Sequence, residues 1–276
     1  MTYLLQHYGL DRNPFGRNTP KEALFRHRGF EEARSRLRFT VELDSLAILV
    51  AEPGCGKSLL LGEIGDEQRS MGWVVHYLAH STTGPFGLVN VLARKAGLSP
   101  NRSRAETAMA LADNLLADER RHLLVIDEAH NLPDSTLEDI RLLTIADFDR
   151  KSPFLLLLAG KPELEDRLTD PSHHALDQRI TTIARLAPLS PQETRDYLAQ
   201  RLAAAGLAGK PLFEDGAVGA IYDASAGVPR RINNVGLAAM IVAAARGRRI
   251  VTAEDVNDAR LDRGRPISRD PPSRTQ

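Results

Sequence analysis

The sequence predicts a three-layer α/β domain with a parallel sheet, followed by a small all-helical domain. Three observations carry this. Short, nearly continuous apolar runs alternate with longer stretches of helical period up to about residue 188. That alternation then stops, and only helical patterns follow. A glycine-containing loop, 51-AEPGCGKS-58, sits between the first apolar run and the first helical stretch.

The apolar runs are LAILVAE (46–52), WVVHYLA (73–79), HLLVIDE (122–128) and PFLLLLAG (153–160), with a weaker fifth, ITTIARLAPL (180–189). Runs without polar alternation are what strands buried on both faces look like. Helical stretches lie between them at 57–70, 86–97, 104–119, 134–147 and 162–169, which is the order of repeated strand–helix units. After Pro188, Ser190 with Glu193 three residues on forms a capping box, and Gly206 closes that helix. Further helices are expected at about 213–225, 229–245 and 252–260. The boundaries are therefore 1–188 for the α/β domain, with an N-terminal arm at 1–30, then 189–262 for the helical domain. Residues 263–276, RGRPISRDPPSRTQ, are polar and Pro-rich and read as a disordered tail.

Composition bounds the function. Lys+Arg and Asp+Glu both number 36, so no global field draws in a polyanion. The charge is unevenly spread: from Gly227 to Gln276 there are ten Arg against five Asp/Glu. One cysteine, Cys55, argues against a disulfide scaffold or a cysteine zinc site and fits a reducing compartment. The N-terminus shows no export signal and no run is long enough to cross a bilayer, so a cytoplasmic protein with no membrane contact is expected.

The loop 51–58 has the residues a triphosphate needs. Gly54 and Gly56 free the backbone so that successive N–H groups turn inward, Lys57 supplies charge between the outer phosphates, and Ser58 supplies a hydroxyl for Mg2+. Ala51, Glu52, Pro53, Cys55 and Leu59 complete the cradle. Ala51 stands where the usual pattern opens with glycine, but at the strand exit and away from the phosphates. In 123-LLVIDEAH-130, Asp127 is placed for the metal's water shell and Glu128 for polarising the attacking water. Bound Mg·ATP and its hydrolysis are the expectation, with Lys57 and Glu128 catalytic and Ser58 and Asp127 at the metal.

These two motifs, with QRI at 178–180 and GVPRR at 227–231, resemble the AAA+ P-loop ATPases. The opening YGLDRNPF (8–15) is similar to the ExeA/GspA-type members and to the transposon-encoded MuB/TnsC-like transposition regulators. The resemblance implies the AAA+ P-loop core with a helical lid and a homo-oligomer, either a ring or a helical filament. It also implies an arginine that one subunit lends to its neighbour's γ-phosphate, here Arg179 with Arg185 as backup. A cis-acting arginine at a lid-helix entry falls on Arg230 rather than Arg231, and part of the adenine pocket on Tyr8, Leu10, Pro14 and Phe15. The polar residue expected near Gly160 to orient water is missing, and only Lys161 is at hand, so hydrolysis is expected to be slow until a partner completes the site.

For the client, the resemblance implies ATP-dependent assembly on double-stranded DNA without sequence preference, and recruitment or activation of a transposase. Arg102, Arg104, Arg246, Arg248 and Arg249 are the candidate DNA contacts. The alternatives are a GspA-like role in building a secretion pore, or a scaffold or loader with a protein client. The absence of a membrane span and a peptidoglycan-binding region after the ATPase portion favours the DNA reading.

Overall fold

A computed structural model describes residues 2–16, 24–79, 87–144, 152–209 and 211–264. Of the expected tail at 263–276, residues 263 and 264 belong to the last helix, which corrects its start, and those from 265 onward lie outside the described residues. The helices, in chain order, are α1 (Thr2–Tyr8), α2 (Arg28–Glu42), α3 (Lys57–Ser70), α4 (Gly87–Lys95), α5 (Arg104–Ala117), α6 (Asp134–Leu143), α7 (Glu163–Leu168), α8 (His174–Asp177), α9 (Pro191–Ala204), α10 (Asp215–Ser225), α11 (Pro229–Ala245) and α12 (Ala253–Gly264). The strands are β1 (Leu46–Ala51), β2 (Val74–Leu78), β3 (His122–Ile126), β4 (Leu155–Gly160) and β5 (Ile180–Leu186).

The chain divides into two compact units. Among the described residues, those from 28 to 187 form the α/β unit, and those before 28 join those from 188 to 264 in a helical unit. This corrects the expected placement of the N-terminal arm in the α/β domain. The reason is apolar burial: Tyr8, Leu10 and Phe15 pack with Leu198, Phe213, Ile232 and Met240 of the helical unit. Arg201 fastens the same segment, donating from Nε to Pro14 O at 2.6 Å and from Nη2 to Gly16 O at 3.0 Å.

In the α/β unit all five strands pair in parallel, in the order β2-β3-β4-β1-β5. β1, β3 and β4 are buried at every position, which accounts for their unbroken apolar sequence. The sequence reading has no counterpart for α2, which buries Phe30, Ala33, Leu37 and Val41 and packs against β5 and β1. Parallel pairing puts the C-terminal ends of all strands on one edge, where loops and helix N-termini meet and where open α/β sheets bind ligands.

The helical unit packs α9–α12 around Ile221, Ile232, Ala239, Met240 and Val256. α9 opens with the capping box formed by Ser190 and Glu193. Gly227 has φ 72°, and a Cβ there would lie 1.9 Å from Leu189 O, so only glycine fits before Pro229 starts α11. Among the described residues, no helix is long and apolar enough to cross a membrane.

Candidate functional site

The loop from Glu52 to Gly56 leaves the C-terminal end of β1 and enters α3 at Lys57. Ala51 is the last residue of β1, buried and paired with Leu186, so its backbone is extended and has no need of glycine. Gly54 and Gly56 do need to be glycine, with φ of 97° and 106°. No side chain caps the N-terminus of α3, so its first N–H groups are left for a ligand. Cys55 is buried within the loop, and its N–H donates to Glu52 O at 3.2 Å.

β3 carries Asp127 to the same edge. Its N–H donates to Leu78 O at 2.8 Å, extending the ladder with β2 by one residue. The carboxylate is buried and accepts four hydrogen bonds. Oδ1 takes Lys57 Nζ at 2.7 Å and Glu128 N at 2.8 Å, and Oδ2 takes Tyr77 Oη at 3.0 Å and Ser58 Oγ at 3.3 Å. Burial works against its ionisation, but Lys57 and the donated hydrogen bonds outweigh it and hold the carboxyl below the usual range.

Glu128 sits in the left-handed region at φ 55°, which is costly for a residue with a side chain. That turn places Oε1 at 2.5 Å from Lys57 Nζ. Lys57 is itself buried, so one buried ammonium serves two carboxylates, that of Asp127 buried and that of Glu128 partly exposed.

The structure brings in the last residue of the stretch 123–130, to which the sequence assigns no task. His130 Nε2 lies 3.7 Å from Glu128 Oε2, and its Nδ1 faces the Lys161 N–H at 3.5 Å. Its pKa is lowered, chiefly by burial, with Glu128 opposing. Gly160 allows this approach, since a Cβ there would come within 3.3 Å of His130 N. The polar group nearest the end of β4 is therefore this imidazole as well as Lys161.

The donor set fits a divalent cation that prefers oxygen. Ser58 Oγ and Asp127 Oδ2 are hard oxygens 3.3 Å apart, beside an ammonium and the uncapped N–H groups of α3. The same cradle suits the phosphates of a nucleotide.

Arg179 is elsewhere. It precedes β5, and Ile180 pairs with Leu46 at the start of β1, so it stands at the opposite edge of the sheet from Lys57. The six residues of β1 separate the two by roughly 20 Å at about 3.3 Å per residue. Its Nη1 donates to Thr144 O and Oγ1, both at 3.3 Å, at the rim of a cleft of about 720 Å³ also lined by Trp73 and His122. Arg185, by contrast, lies beside Val50 near the loop end of the sheet, ion-paired with Glu165.

The remaining candidates fall in other surroundings. Tyr8 and Phe15 are each 8% exposed inside the helical core, and Tyr8 Oη donates to Met240 O at 2.8 Å. Gly236 makes room for Phe15, whose Cζ a Cβ would meet at 3.0 Å. Both rings thus pack within the core of the helical unit. Arg230 and Arg231 are exposed in the first turn of α11. Of the five arginines picked out for DNA, three are held by acids: Arg104 by Asp139, Arg246 by Asp255 and Asp258, and Arg248 by Glu254 and Asp255. Arg102 and Arg249 are exposed.

Comparison with known proteins agrees with this fold. The AAA domain family matches residues 41–168. General secretion pathway protein A of Aeromonas hydrophila is 29% identical over 262 residues, covering 91% of this chain and 47% of that protein. The chain thus spans about half the length of that curated relative. Three solved structures share the fold. Cdc6p from Pyrobaculum aerophilum is 19% identical with a TM-score of 0.69, covering 90% of this chain and 70% of that one. Drosophila ORC bound to DNA is 18% identical with a TM-score of 0.64, covering 96% and 66%. The RuvB branch migration motor of Thermotoga maritima is 18% identical with a TM-score of 0.57, covering 84% and 68%. The chain therefore has the P-loop AAA+ fold, and its residues 41–168 match an AAA domain of the AAA+ ATPase class.

Proposed function

We propose that the protein binds Mg·ATP at the end of β1 and hydrolyses it in an assembly of several copies, using the cycle as a switch. The observation that carries this is the convergence of the exposed Ser58 and partly exposed Glu128 on the buried pair of Lys57 and Asp127. Lys57 bridges the two carboxylates. An incoming phosphate competes for that ammonium, which frees the Glu128 carboxylate to accept a proton from the attacking water. Ser58 and Asp127 would hold the divalent ion, which when bound would supply charge for the phosphates.

Assembly enters through Arg179. At the far edge of the sheet it cannot serve its own loop, so any charge it gives a γ-phosphate goes to another copy. Arg230 remains the candidate for a charge supplied from the helical unit.

For the client we propose regulation of DNA transposition on duplex DNA, as the likeness of residues 8–15 to the MuB/TnsC-like group implies. Its support among the arginines narrows to Arg102 and Arg249. The DNA in the ORC structure belongs to that protein; at 18% identity the likeness carries the fold and not the ligand. A GspA-like role in a secretion pathway is the second reading, and the 29% identity over 91% of the chain favours it.

One experiment addresses both levels. Glu128→Gln, mixed with ATP and imaged by electron microscopy with and without duplex DNA, should form ATP-dependent rings or filaments and lower turnover by about 100-fold or more. A monomer under all conditions defeats the assembly reading. Assemblies that ignore DNA remove the transposition reading and leave the secretion one.

A further inference from the structure

The cluster around Asp127 contains one hydroxyl to which the proposed cycle gives no task. Tyr77 lies on β2, pairs in register with Val125, and so emerges on the same side of the sheet as Asp127, two residues further along. Its Oη donates to Asp127 Oδ2 at 3.0 Å.

The four donors to Asp127 differ in what becomes of them when a nucleotide arrives. Lys57 is claimed by phosphate, and Ser58 by the cation. The two left are the Glu128 N–H on Oδ1 and the Tyr77 hydroxyl on Oδ2. One lasting bond on each oxygen fixes the plane of the carboxylate. With the Glu128 bond alone, the group is free to rotate about Cβ–Cγ and the oxygen facing the cation loses its aim.

We propose that Tyr77 is a positioning residue for the cation site: its hydroxyl holds Asp127 Oδ2 in the orientation that the Mg2+ of Mg·ATP requires. A phenol hydroxyl carries its proton throughout the neutral range, so it is available as a donor. Tyr77 is 38% exposed, so the ring is not needed to fill the core. The proposal rests on the nucleotide reading above.

Tyr77→Phe keeps the ring and removes only the hydroxyl. Binding of a fluorescent ATP analogue should be titrated with Mg2+, and separately measured in EDTA. The variant is expected to need about tenfold more Mg2+ for half-maximal binding, as loss of a partner that orients a metal ligand does, with its EDTA affinity unchanged. In an Asp127→Asn background the same substitution should add nothing, because the effect travels through the carboxylate. A Mg2+ midpoint equal to that of the wild type, or a shift that persists in the Asp127→Asn background, overturns the proposal. A wild-type protein that binds no nucleotide overturns the nucleotide reading itself and this proposal with it.

Discussion

The two units handle buried charge in opposite ways. In the α/β unit, the buried Lys57 at the start of α3 and Asp127 past the end of β3 meet the partly exposed Glu128 at the loop edge of the sheet. In the helical unit, Asp255 is wholly buried and all its partners are structural: Thr252 N and Oγ1 at the start of α12, and Arg246 and Arg248 after α11. A buried ion pair adds little net stability over a well-packed apolar substitute, so one at the loop edge of a parallel sheet, beside a helix N-terminus with no side-chain cap, is better explained by a ligand. One cluster therefore points to chemistry and the other to architecture.

Lys57→Ala is the sharpest way to break this comparison. It should lower ATP affinity by two orders of magnitude or more, read by titration with a fluorescent analogue, since the charge and its reach between phosphates are both lost. The melting temperature should move less than for Asp255→Ala, because Asp127 keeps its bonds to Ser58, Tyr77 and Glu128 N. Retained ATP affinity would mean that the Lys57 cluster is architecture after all.

Asp255→Ala inverts the expectation. It removes a helix cap and two ion-pair partners from a fully buried position, and should destabilise the protein by about 2–3 kcal/mol in urea unfolding. Nucleotide affinity should be untouched. Burial opposes ionisation of Asp255, but the Thr252 bonds and the arginines prevail and lower its pKa. A carboxyl depressed on folding contributes stability above its unfolded value and loses it as pH falls through the folded one. Stability supplied by Asp255 should thus be whole at pH 7 and fade below about pH 4. An unfolding free energy as pH-sensitive in Asp255→Ala as in the wild type would remove this residue from the account.

The same contrast explains what the sequence could and could not reveal. The strands are legible because β1, β3 and β4 are buried on both faces and so read as unbroken apolar runs. Lys57, Ser58, Asp127 and Glu128 are legible because each lies in a local motif. Tyr77 and His130 are not, because their partners depend on β2 lying beside β3 and on β4 ending beside His130. Chain proximity places the N-terminal segment with the α/β domain, yet its apolar residues find partners such as Met240, on which proximity is silent. α2 does leave a signal: Phe30, Ala33, Leu37 and Val41 repeat at helical spacing, but within a heavily charged stretch that hides them.

Arginine content misleads for the same reason, and this yields the smallest test. The excess of arginine after Gly227 looks like a polyanion surface, but Arg246 and Arg248 spend their charge on Asp255, Asp258 and Glu254. A cation already paired gains less from a phosphate, because the existing pair must first be broken. Arg246→Ala should therefore lower the melting temperature and leave affinity for duplex DNA nearly unchanged. Arg249→Ala, at an exposed position, should do the reverse: an intact fold, a few-fold weaker DNA binding, and a salt dependence shallower by about one unit in log–log slope. Fluorescence anisotropy at several salt concentrations, beside a thermal melt, reads both. If both variants weaken DNA binding equally, the ion pairs of the helical unit open on contact with DNA and Arg246 belongs to a binding surface. If neither does, the duplex-DNA client loses its last arginine support beyond Arg102.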